Sequence, residues 1–163
     1  EDSFGLRLDQ LGAASSVIGL AGVAGVGTAI LLTDRLGKRP AIGLGLGVNT
    51  LACLAIYLGG SHLWSAVTAL FFFYLSFEFT LTSLLPLMTA LATRARGAFM
   101  AAVLAAFSLG DSIGALLGPA IFRTGLLGNV LTAAAFNLAG LFFLIIFVRP
   151  ASEPGDLIPV TTE

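Results

Sequence analysis

Five long apolar stretches, separated only by short polar turns, constrain this chain more than any other feature. They run from about residue 13 to 32, 41 to 58, 64 to 92, 98 to 122 and 126 to 148. A helix crosses the hydrocarbon of a bilayer with ~20 predominantly apolar residues, and each stretch is of that order. Hydrophobic residues make up 57% of the sequence and charged residues 10%, whereas soluble domains carry about a quarter charged residues. The expected fold is therefore all-α: a polytopic transmembrane helix bundle of about five spans in an integral membrane protein. The bundle occupies 13–149. Residues 1–12 read as an extracytoplasmic loop or interfacial segment, and 150–163 as a polar cytoplasmic tail.

The first two stretches are joined by Thr33-Asp34-Arg35-Leu36-Gly37-Lys38-Arg39-Pro40. A charge at the centre of a span costs ~2.5–3.5 kcal/mol on insertion, so this run is expected to be a water-exposed turn. Gly37 permits a sharp reversal. Pro40 suits the first turn of the next helix, where its missing N–H is not needed. Three cations so close together mark the cytoplasmic side. Alternation then puts Arg94, Arg96 and Arg149 on that side too, leaving Arg7 and Arg123 opposite; six of the eight cations face the cytoplasm. The short connection at Gly59-Gly60-Ser61-His62 faces outward, with Tyr57 and Trp64 as interfacial aromatics. Pro86 is the expected kink of the third span.

Within Asp34-Arg35-x-Gly37-Lys38-Arg39 the sequence resembles the loop signature of the major facilitator superfamily, Gly-x-x-x-Asp-Arg-x-Gly-Arg/Lys-Arg/Lys. The family carries that signature between helices two and three and repeats it, more loosely, between helices eight and nine. The leading glycine of the signature falls at Ile30 here, which suits the looser copy. A long helix with a proline, the loop Arg94-x-Arg96-Gly97, a glycine-rich helix with Gly118-Pro119 and a polar tail fit the same pattern. The resemblance implies that the five spans are helices eight to twelve of a two-half transporter. A sixth helix and the first half would then lie upstream, as partners from the same protein. It also implies secondary transport of a small solute by alternating access, with the plasma membrane as the expected location.

Two acids lie inside spans. Glu78 sits near the middle of the third, and at helical spacing Tyr74, Glu78 and Thr82 share one face. Ser76, Thr80 and Ser83 fall on the opposite side, where they are expected to bond neighbouring helices. Asp111 sits near the middle of the fourth span, on a face with Gly114 and Gly118. The spacing Gly110, Gly114, Gly118, followed by Pro119, predicts close packing against another helix. No lysine or arginine lies inside any span. An intramembrane carboxyl group without a cationic partner is suited to bind and release a proton, and such residues are functional by default. Glu78, Asp111, Tyr74 and Thr82 are thus the candidates for proton coupling or a substrate cavity. An acid among aromatic rings and hydroxyls favours export of a cationic or amphipathic solute. The bland alternatives are a protonated Glu78 bonded across helices, a packing role for Asp111 and a charged turn that fixes topology alone. In the functional alternative, Asp34 acts as a conformational latch at a helix end.

Composition excludes several other classes. The net charge of −1 and the lack of a basic patch argue against nucleic acid. One cysteine, Cys53, and one histidine, His62, make neither a disulfide framework nor a metal site. No cofactor motif is present, and no nucleophile–base pair points to an enzyme. Scattered acids do not form the repeated ring of a channel filter. The remaining rival is a non-transporting scaffold or assembly subunit that packs through its glycine-rich helix faces.

Overall fold

The computed structural model describes residues 8–59, 63–91 and 96–148. They form α1 (Leu8–Leu36), α2 (Lys38–Leu58), α3 (Leu63–Leu91), α4 (Arg96–Phe122) and α5 (Leu126–Phe147). All five are long and apolar enough to cross a membrane, and there is no strand among the described residues. Arg7, His62, Arg94, Arg149 and the 150–163 tail lie outside the described residues.

The bundle is arranged around α3, which packs along both α1 and α2, while α5 packs on α2. Apolar helices gain little by leaving lipid for one another, so their association depends on close approach and on interhelical hydrogen bonds. Small residues at a spacing of four provide that approach twice. Ala21, Gly25, Ala29 and Thr33 are buried on α1, and Ala41, Gly45, Asn49 and Cys53 on α2. Ala69, Ser76, Phe79 and Ser83 are buried on α3. Ala29, Ala41 and Phe79 meet in one apolar cluster that ties α1, α2 and α3. Ile42, Leu87 and Leu144 make a second cluster that brings in α5. The large side chains left exposed, such as Leu51, Leu58, Phe136 and Phe147, form the surface that a bilayer covers.

Two element boundaries differ from those expected. The stretch read as a loop or interfacial segment includes the start of α1, which begins at Leu8. Its 29 residues make a helix of ~43 Å, longer than the ~30 Å hydrocarbon core, a length that accommodates tilt or polar ends beyond the apolar slab. The charged run is likewise not a loop of eight residues. The helix carries Asp34 and Arg35 to Leu36, and α2 starts at Lys38. The reversal is confined to Gly37, whose φ of +84° is open to glycine and strained for other residues. Pro40 lies in the first turn of α2, and Ala41 N–H donates to Gly37 O at 3.1 Å.

Helix α4 is the most loosely packed of the five. None of its side chains from Gly97 to Phe122 is buried, and space for an added methyl group at Gly110, Gly114 and Gly118 meets nothing within 4 Å. Helix α4 touches only α5 and, more slightly, α3. Within the described residues its glycine face has no helix against it. At the other end, Arg123 and Thr124 form the turn into α5, which opens at Gly125 with φ +99°.

Candidate functional site

The candidate site lies on the seam between α1 and α3. Helix α3 places Tyr74, Glu78 and Thr82 on one face, each half-buried. Tyr74 stacks edge-on against Phe73, with ring centroids 5.4 Å apart. Glu78 faces the glycines of α1. A methyl group at Gly22 would lie 3.7 Å from Glu78 Cγ. One at Gly25 would lie 2.9 Å from Glu78 Cβ and 2.5 Å from the Leu75 carbonyl oxygen. Gly19 and Gly27 of the same helix have nothing within 4 Å among the described residues, so Gly22 and Gly25 are its glycines at the seam. Two turns along, Thr33 and Ser83 share a buried hydrogen bond of 2.8 Å that closes the same seam. Among the described residues neither Glu78 nor Asp111 has a hydrogen-bond or ion-pair partner. The structure does not bring the two acids together: Asp111 is exposed on the loosely packed α4.

A second polar centre lies between α2, α3 and α5. Asn49 is its hub. Its Nδ2 donates to the Phe73 carbonyl at 3.0 Å and to Ser76 Oγ at 3.1 Å. Its Oδ1 accepts from Asn137 Nδ2 at 2.8 Å, and Asn137 also donates to Thr50 Oγ1 at 3.3 Å. Cys53 is buried one turn away, with its Sγ 3.9 Å from Asn49 Oδ1. These bonds mark the centre as a tie between helices, in contrast to Glu78, which has no described partner.

The signature residues sit at one end of the bundle. Asp34, Arg35, Gly37 and Lys38 are exposed, and Arg39 is half-buried. Arg39 Nη2 donates to the Ile145 carbonyl at 2.9 Å, near the end of α5. The last carbonyls of a helix lack partners inside it, and a cation there complements the dipole. Sequence reasoning missed this contact, which joins residues 106 positions apart; no local signal encodes it. A groove of about 530 Å³ between α2 and α3, near Trp64, Thr68 and Phe72, contains none of the candidate residues. Among the described residues no group of three or more potential metal ligands occurs.

Comparison with curated proteins and with solved structures found no match. A family model described as Major Facilitator Superfamily matches residues 1–162. That match covers the loop signature, all five apolar helices and the seam bearing Glu78. The chain is thus an integral membrane protein of the Major Facilitator Superfamily, a family of membrane transporters.

Proposed function

We propose that the five helices are helices eight to twelve of a two-half permease that moves a small solute by alternating access, coupled to protons. Five spans do not complete a six-helix half, and the open face of α4 at Gly110, Gly114 and Gly118 offers a surface for helices of the remainder of the protein. The positive-inside count supports a cytoplasmic C-terminal end, and the membrane proposed is the plasma membrane. Export of a cationic or amphipathic solute is the favoured direction.

The observation that carries proton coupling is Glu78: a half-buried carboxyl group in mid-span, on a helix seam, with no described partner. A group so placed has a protonation state that can respond to which side of the membrane it faces. In the intact transporter, reconstituted in vesicles with a fluorescent lipophilic cation as probe, Glu78→Gln is expected to abolish the part of the flux driven by a proton gradient. Proton-driven flux equal to that of the parent protein sinks the coupling role. Tyr74 and Thr82, on the same face of α3, complete the proposed cavity, and Asp111 is proposed as a second acid of the intact transporter.

Asp34 is proposed as a latch at the α1–α2 turn. Asp34→Asn is expected to insert normally and to lose most transport of the same probe. Unchanged transport would leave the turn with a topological role alone.

A further inference from the structure

We propose that Gly25 is a positioning residue for Glu78: its missing side chain lets α1 close over Glu78, so that the α1–α3 seam controls access to the carboxyl group. The inference gains its functional meaning from the reading of Glu78 as a protonation site, but its geometry stands by itself.

The steric case rests on what an added methyl group would strike. At Gly25 it meets the Leu75 carbonyl oxygen at 2.5 Å and Glu78 Cβ at 2.9 Å. Both atoms are fixed by the α3 backbone, so neither can rotate aside, and the two helices have to separate. Gly22, about one turn away, makes only an ordinary contact with Glu78 Cγ, at 3.7 Å. The separation would fall at the acid, because Thr33 and Ser83 hold the seam together further along. Nothing else ionisable competes there. From Gly12 to Thr33, α1 carries no ionisable side chain, and α3 carries only Tyr74 besides Glu78. Of the other helices packed on α3, α2 has its charges at Lys38 and Arg39 in its first turn and, further along, only Cys53 and Tyr57. Helix α4 carries Arg96 at its first residue and Asp111, which is exposed and makes no bond to Glu78. Two glycines of the same helix, Gly19 and Gly27, face open space and serve as internal controls.

The test needs no knowledge of the transported solute. Dicyclohexylcarbodiimide, an apolar reagent that modifies protonated carboxyl groups within a bilayer, is applied to the intact transporter in lipid vesicles. The adduct at Glu78 is followed by mass spectrometry, with Asp111 as the internal reference and Glu78→Gln to confirm the assignment. Gly25→Ala is expected to label Glu78 severalfold faster than the parent protein, while Gly19→Ala and Gly27→Ala label it at the parent rate. Labelling of Asp111 is expected to stay constant throughout. A parent rate in Gly25→Ala overturns the proposal, as does an equal change in Gly27→Ala or a parallel rise at Asp111, either of which would mean general loosening. If Gly25→Ala fails to insert, Gly22→Ala reads the seam from the other direction. Its methyl group packs on Glu78 and is expected to slow labelling, and an unchanged rate there also overturns the proposal. Proton-driven flux that survives Glu78→Gln would end the coupling reading and leave this geometry standing. Unchanged labelling in Gly25→Ala would do the reverse.

Discussion

Asn49→Leu is expected to destabilise the bundle by about 2 kcal/mol, because one side chain ties three helices together. Asn49 donates to α3 at Phe73 and Ser76 and accepts from Asn137 of α5. Interhelical hydrogen bonds in membranes contribute ~0.6 kcal/mol each on average, so three sum to about 2 kcal/mol. The partners are not all abandoned. Ser76 Oγ also donates to its own helix, at the Phe72 carbonyl, at 2.7 Å, and Asn137 retains Thr50. That retention keeps the loss below what several orphaned groups would cost at ~1–3 kcal/mol each. Denaturant unfolding of the detergent-purified protein measures the effect, and a cycle with Asn137→Leu isolates the pair. A variant as stable as the parent would show that small-residue packing alone holds α2 to α3 and α5.

Gly45→Val is expected to destabilise by a comparable amount, because it inserts bulk where two helices already touch. The first added carbon would fall on Thr80 Oγ1 and lie 3.0 Å from Phe79 Cδ1. Thr80 cannot swing away without breaking its bond to the Ser76 carbonyl at 2.7 Å, and Phe79 is buried in the cluster with Ala29 and Ala41. Overpacking of this kind costs ~1–3 kcal/mol, occasionally more. The control lies two residues along the same helix. Gly47 has nothing within 4 Å, and replacing glycine by alanine in a helix interior is favourable by ~0.8–1 kcal/mol in water. Thermal unfolding of Gly45→Val and Gly47→Ala should therefore move in opposite directions. A shared direction would mean that α2 and α3 are not packed at Gly45.

The contrast between Gly45 and Gly47 also marks how far the sequence could be read. Both are glycines of one apolar span, and nothing local tells them apart. The same holds on α1, where Gly22 and Gly25 meet Glu78 while Gly19 and Gly27 meet nothing. Ser76 and Ser83 were legible as interhelical bonding groups, since a hydroxyl in mid-span needs an acceptor and their helix face set them apart from Glu78. Asn49 and Asn137, two mid-span amides, need partners for the same reason, but nothing local makes them partners of each other. Their juxtaposition depends on how α2 and α5 are rotated. The glycine spacing on α4 implied a packed face, yet the described helices leave it open. A pattern of small residues states that a close approach is possible and cannot state which helix makes it.

The sequence alone determined the class of this protein. Length and apolarity dictate that the five stretches are helices in lipid, because hydrocarbon offers no other partner for backbone N–H and C=O groups. Its charges place the turns, and its loop signature carries the family. Tertiary structure decided which faces meet: that α3 lies between α1 and α2, that Glu78 lies against Gly22 and Gly25, and that Arg39 reaches the end of α5. The physical reason is that lipid is as apolar as the helices it surrounds. Hydrophobicity therefore drives each helix into the membrane but does not choose its neighbours, and that choice falls to steric fit and a few hydrogen bonds between residues far apart in the chain.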